Sequence, residues 1–180
     1  MGKIFDELDD RLIEFIARQH MFFVATAPAG PEGHVNLSPK GPDSLRVLGP
    51  KQVAYQDLIG SGAETIAHLR QNGRITIMFC AFEGPAKILR LYGQGRTFEP
   101  GSAEFEAIAD QFPSRMNCRS IIKIEVERIA DSCGYGIPFY DLKSRRDALA
   151  QWAENMGPDR LETFKEEYNA RSIDGLPALG

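Results

Sequence analysis

Apolar positions in this chain recur mostly at two-residue spacing and are broken often by Gly and Pro, a rhythm that predicts short strands more often than helices. The alternation is cleanest over residues 119–129. There Ile122, Ile124 and Val126 fall on one face and Lys123, Glu125 and Glu127 on the other. Residues 87–97 alternate as well, with Leu89, Leu91 and Gly93 opposed to Ile88, Arg90, Tyr92 and Gln94. Gly93 and Gly95 inside that run predict a bulge or the close approach of another backbone. The run 74–82, carrying Ile75, Ile77, Met78 and Phe79, is almost continuously apolar and is expected to be covered on both faces. Shorter strands are predicted over 20–27, 34–38, 44–48 and 52–55, ended by turns at 28–31, Gly41-Pro42 and Gly49-Pro50. Strands this short and this often interrupted imply an antiparallel barrel or sandwich, not a βαβ sheet.

Helical spacing is confined to a few segments. Phe5, Leu8, Leu12, Phe15 and Ile16 place an amphipathic helix over 5–18, with acids early and Arg18 late. A second helix is predicted over 63–70 with Gly73 as its stop, and a third over 102–112. The last forty residues turn helical: Ser144 to Asp147 reads as a capping box, and Gly157-Pro158 ends one helix and begins the next. The tail Ser172-Ile-Asp-Gly-Leu-Pro177 is apolar enough to dock on the body or on a second subunit.

Composition narrows the function classes. A length of 180 residues fits one core that needs no staples. A net charge of −4 argues against a nucleic-acid or acidic-membrane binder, which needs a cationic footprint. Cys80, Cys118 and Cys133 are odd in number and far apart, which suits free thiols in a reducing compartment. His20, His34 and His68 are scattered and form no metal-ligand spacing. Asp6, Glu7, Asp9 and Asp10 stand where a signal peptide carries basic residues, and no apolar run reaches membrane-spanning length, so a cytoplasmic location is expected.

The candidate chemistry centres on residues 33–96. Gly60-Ser61-Gly62 precedes a helix, so its amides can face an anionic group with help from the helix dipole, or can simply start the helix. Lys40 supplies positive charge to such a group or stands in solvent. Arg70, Arg74, Arg90 and Arg96 are further candidate partners for an anion. Cys133 is expected to be a small buried residue, and Trp152 a core residue on its helix. Tyr135 and Phe139 either cover a ligand or anchor a loop. No Ser-His-Asp or Cys-His arrangement follows from order and spacing.

Taken in order, HMFFVATA, VNLSPKG, YQDLIGSGAETIAHL, ITIMF and LRLYGQGR resemble the pyridoxamine 5′-phosphate oxidase-like FMN-binding proteins across about residues 5–130. The DSCGYGIP segment and the SIDGLP tail resemble one branch of that family, distinct from the oxidase proper. The resemblance implies a mainly β fold with peripheral helices, an antiparallel split β-barrel over 1–140. A C-terminal helical extension over 141–180 then packs on the barrel or on the partner subunit. It implies a homodimer with FMN at the subunit interface, a small organic substrate, and NAD(P)H or oxygen as second substrate. Ser38 and Lys40 match the strand exit beside the flavin, and Tyr55-Gln56 match a Tyr-Thr pair lining it. Ser61 and Gly62 fall where the oxidase proper grips the FMN phosphate with Arg and Lys.

The departures from the oxidase proper bear on substrate. Ile88 replaces a glutamine near the flavin ring, the two phosphate-gripping cations are missing, and the closing Trp and Arg of the oxidase site are not recognisable. Pyridoxamine phosphate is therefore a poor fit. The expected function is FMN-dependent oxidoreduction, with no catalytic side chain assigned because the flavin carries the redox chemistry. The alternative is a non-catalytic flavin- or haem-binding protein that stores or senses its ligand.

Overall fold

Period-two burial decides most of the elements in the computed structural model, which describes residues 2–41 and 43–180. In chain order these are β1 (Ile4–Phe5), α1 (Asp10–Ala17), β2 (Phe22–Thr26), β3 (Asn36–Lys40), β4 (Leu45–Gly49), β5 (Gln52–Leu58) and α2 (Glu64–Asn72). They continue with β6 (Arg74–Cys80), β7 (Ile88–Phe98), α3 (Ala103–Ala109), β8 (Cys118–Ser132), α4 (Ala148–Met156) and α5 (Pro158–Asn169). The strands form one sheet in the order β3-β2-β6-β7-β8-β5-β4, every pair antiparallel, with β1 added beside β8. The sheet curls until non-neighbours meet. Phe22 on β2 and Tyr55 on β5 sit four places apart in that order, yet their rings touch edge to face at 5.7 Å. The result is a split β-barrel whose seam lies between edge strand β3 and the β5–β4 side.

The barrel interior is filled by Val24, Val53, Tyr55, Ile77, Leu89, Leu91, Ile122 and Ile124, all fully buried. Leu12, Phe15 and Ile16 of α1 close one end. Residues 5–18 do not form one helix, as spacing alone predicts. Asp9 caps α1 by accepting from Leu12 N at 2.9 Å, so the helix begins at Asp10, and Phe5 instead pairs with Ile129 as a strand. On β6, Ile75, Ile77 and Phe79 are buried while Thr76 and Met78 stay half-buried, so one face is less covered than expected. The 144–147 capping box does not form either; α4 starts after Asp147 with no side-chain cap. Pro42, half of the expected Gly41-Pro42 break, lies outside the described residues.

Two features position the functional region. Gly73 ends α2 in the left-handed conformation at φ 69°, turning the chain straight into β6. Gly93 marks a register shift in the β7–β8 ladder, and a Cβ there would run into the Glu125 carbonyl oxygen. The C-terminal part packs back onto the region before α2. Ala153 and Leu161 cover Ile59, while Ala178 and Leu179 lie against Ala63, Ile66 and Ala67. Among the described residues, no helix is long and apolar enough to cross a membrane. Replacing Gly93→Ala forces the β7 and β8 backbones apart and is expected to destabilise the fold by about 1–3 kcal/mol in urea titration.

Candidate functional site

Edge strand β3 carries an inverted pattern. Its polar residues Asn36, Ser38 and Lys40 are half-buried, while Leu37 and Pro39 on the other face are exposed. Pro39 is tolerated because an edge strand has one side free of ladder hydrogen bonds. Antiparallel pairing sets Asn36 opposite Thr26, Ser38 opposite Val24 and Lys40 opposite Phe22. Asn36 Nδ2 donates to Thr65 Oγ1 at 2.9 Å and to Thr26 Oγ1 at 3.2 Å, and its Oδ1 accepts from Ser38 Oγ at 2.9 Å. Thr26 Oγ1 lies 3.0 Å from His68 Nδ1. Burial lowers the proton affinity of His68 below the ordinary imidazole range, against the opposing pull of Asp174 and Glu64. A chain of polar contacts thus ties β3 to β2 and to α2.

At the other end of β3 the charge is unbalanced. Asp57 on β5 is fully buried; one oxygen meets Lys40 Nζ at 2.9 Å and the other meets Arg119 Nε at 2.8 Å. Burial by itself would raise the Asp57 carboxyl, but Lys40 and then Arg119 outweigh it, and the group is held below the ordinary carboxylate range. Two cations therefore share one anion. Arg119 is 5% exposed, and its Nη1 has no protein partner. Lys40 is the member nearest solvent, with its side chain 20% exposed and its Nζ 5.8 Å from the centroid of the Tyr55 ring. An excess positive charge lies at the seam of the barrel.

The turn before α2 opens onto a cleft of about 380 Å³ lined by His34, Asn36, Leu37, Ser61, Gly62 and Glu64, with Val35 and Ile173 at its sides. The structure thus brings Ser61 and Gly62 beside the start of β3, and links that end to Ser38 through Asn36. Tyr55 and Gln56 are turned elsewhere. The Tyr55 ring is enclosed in the core, and Gln56 Nε2 donates to the Ser114 carbonyl. The turn itself fits a phosphate poorly. Glu64 holds its carboxylate where a Cβ on Gly62 would stand, and an anion placed there meets like charge. The cationic donors that suit an anion are Lys40 and Arg119, at the far end of β3. A larger hollow of about 460 Å³ beside α1 is lined by Glu7, Asp9 and Asp10 and contains none of the candidate residues.

Several residues escape sequence reasoning. Asp57 and Arg119 are 62 positions apart and meet only through β5–β8 pairing. The one signal for them is a charge set inside an otherwise apolar strand. His34 and Asp174 join across 140 positions, His34 Nδ1 lying 2.7 Å from Asp174 Oδ1. The other arginines are engaged away from the cleft or exposed: Arg70 with Glu99, Arg74 with Asn72 and the Pro28 carbonyl, Arg90 with Ser132, and Arg96 in solvent. Cys133 is exposed, not buried as expected, because β8 ends at Ser132 and the chain leaves the sheet there. Tyr135 and Phe139 that follow are largely exposed, whereas Tyr140 stacks on Phe82. Trp152 is half-buried and packs edge to face on Phe164.

Two outcomes follow from these placements. Asp57→Asn leaves buried Arg119 and half-buried Lys40 facing no anion and is expected to destabilise the fold by about 3–5 kcal/mol. Because the folded carboxyl is depressed, its contribution is complete above the ordinary carboxylate range and is lost as pH falls through its lowered value. The gap between wild type and variant in denaturant melts is therefore constant near neutrality and narrows only in strong acid. Burial raises the thiol of Cys80 and pushes that of Cys118 up to about 11. Thiol labelling of the native protein with peptide mapping is thus expected to mark Cys133 alone.

Known proteins share this architecture. A family model described as pyridoxamine 5′-phosphate oxidase matches residues 8–133. The Aspergillus flavus pyridoxamine 5′-phosphate oxidase family protein ustO is 37% identical over 196 residues, covering 99% of this chain and 78% of that protein. A HupZ variant of Group A Streptococcus superposes with a TM-score of 0.55 at 23% identity, over 69% of this chain and 99% of that one. A FAD-binding protein of Mesorhizobium loti superposes with a TM-score of 0.51 at 12% identity, over 73% of this chain and 96% of that one. The two solved structures share the fold. The profile match and the breadth of the ustO alignment show that the chain belongs to the pyridoxamine 5′-phosphate oxidase family.

Proposed function

We propose that this protein binds FMN at the seam of its barrel and is an oxidoreductase acting on a small organic molecule. The observation that carries the reading is the excess positive charge of Lys40 and Arg119 around Asp57, open to solvent on the Lys40 side. Such a cluster suits an anionic cofactor, because an added negative charge completes the neutralisation that one carboxylate leaves half done. Family membership supports a flavin as that cofactor, and a fold relative is named as FAD-binding. When bound, the flavin would supply hydride or electron transfer, which no side chain here can do alone. The chain's own contribution is to position and to neutralise. Lys40 would face the flavin's anionic part, Arg119 would hold Asp57 in place, and Ser38 Oγ, its proton held by Asn36, would offer an acceptor along β3.

The same reading assigns a homodimer. The outward face of β3 presents Leu37 at 63% exposure, just beyond Val35 at 75%, an apolar edge that a second copy would cover. Pyridoxamine phosphate is not the substrate proposed, since the closing Trp and Arg of the oxidase site are not recognisable in this sequence. The cytoplasm is the location this reading expects.

Titration of apo-protein with FMN, followed by flavin fluorescence, tests the cofactor. Saturable quenching is expected in the wild type, with affinity at least tenfold weaker in Lys40→Ala, the size of one charge-assisted contact at about 1.5–3 kcal/mol. Equal affinity in the two proteins removes Lys40 from the site. Bleaching of the bound flavin by NADH or NADPH without oxygen is then expected of an oxidoreductase. A flavin that binds but resists both donors supports a carrier or sensor instead.

A further inference from the structure

The C-terminal tail brings a histidine and a carboxylate together at the cleft, a pairing that goes beyond the flavin reading and does not depend on it. The tail doubles back on itself: Ser172 N donates to Leu176 O at 2.9 Å, and Arg171 pairs with Pro177. Ala178 and Leu179 anchor it on α2. The tip of this turn is held from two sides. Ile173 N donates to Glu64 Oε1 at 3.2 Å, and Asp174 Oδ2 accepts from His34 N at 2.8 Å. Asp174 Oδ1 then meets His34 Nδ1 at 2.7 Å. Gly33 permits the approach. It adopts φ 92°, and a Cβ there would come within 2.9 Å of Asp174 Oδ2.

The chemistry of the pair follows from which atoms can donate. Asp174 is held below the ordinary carboxylate range, first by the His34 backbone N–H and then by its ring, so the carboxylate only accepts. His34 Nδ1 therefore carries a proton toward Asp174. Nε2 is the ring nitrogen turned away from the carboxylate, on a ring that is 76% exposed and lines the cleft, while Asp174 is only 16% exposed. Ile173 at the side of that cleft gives it an apolar wall against which an organic ligand can rest.

We propose that His34 is the proton-accepting group of this cleft, positioned by Asp174, and that it takes a proton from a small, partly apolar substrate. A base in this setting uses one nitrogen for orientation and the other for chemistry. His20 is the internal contrast. It lies 3.5 Å from Glu83 on an exposed surface and lines neither described cleft.

The test uses 5-nitrobenzisoxazole, whose ring opens when a base removes its C3 proton. The C–H electron pair forms the nitrile, the N–O bond breaks to a coloured phenolate, and the proton goes to the base. No flavin takes part, so the outcome is separate from the FMN titration. The wild type is expected to open the ring faster than an equal concentration of free imidazole. His34→Gln loses at least about tenfold of that rate, a smaller loss than the ~10²–10⁴ of a fully developed general base. His20→Gln keeps the full rate. Asp174→Asn is expected to slow the reaction several-fold. In imidazole ¹⁵N spectra, the wild-type His34 signal reports the Nδ1–H form, and Asp174→Ala returns it to a tautomer mixture. A wild-type rate no greater than that of imidazole, an unchanged rate in His34→Gln, or an unchanged tautomer in Asp174→Ala would overturn the proposal.

Discussion

One buried carboxylate holds the seam of this barrel together. Asp57 sits on β5 without solvent, Lys40 reaches it from β3 and Arg119 from β8, so three strands are tied at one point. β3 and β4 are the two ends of the sheet order, and among the described residues no backbone ladder joins them. The Lys40–Asp57 contact spans the gap that a closed barrel would fill with hydrogen bonds. Its electrostatics are lopsided by one positive charge. A barrel held by this triad is biased toward an anion at the same place where its strands part.

The two ends of β3 do different work. Near Lys40 the strand offers charge; near Asn36 it offers a hydrogen-bond chain through Thr65, Thr26 and His68 into α2. Four residues at roughly 3.3 Å each separate those ends by about 13 Å, so the cationic end and the cleft are distinct regions of one face. The C-terminal tail belongs to the second region. By clamping Ile173 to Glu64 and Asp174 to His34, it turns a surface loop into a walled cleft. The part of the fold that the family model matches, residues 8–133, is thus served by a segment beyond it.

What could be read in advance follows the range of the forces involved. The strands around Ile122, Leu89 and Ile77 were legible because alternation is local, and the stop at Gly73 because one residue supplies the left-handed turn. The bulge at Gly93 was legible for the same reason, since a glycine inside an alternating run needs a backbone explanation. The start of α1 was less so. Helical spacing continues back to Phe5, but the Asp9 cap and the pairing of Phe5 with Ile129 set the boundary, and strand pairing is not a local property. Cys133 was misjudged because a small apolar residue in a glycine-rich stretch says nothing about where the sheet ends.

The sequence by itself determined most strands and helices, β1 excepted, and the segments near the candidate site through spacing within some ten residues, while the order of its motifs carried the resemblance to the family. Tertiary structure alone decided the charge balance. Lys40 meets Asp57, Asp57 meets Arg119, and Asp174 meets His34 only after the chain has folded over separations of 17, 62 and 140 positions. Charged partners are chosen by proximity in space, where low dielectric makes each contact count, and proximity across such distances is set by sheet order and by the docking of the tail. No local pattern encodes it.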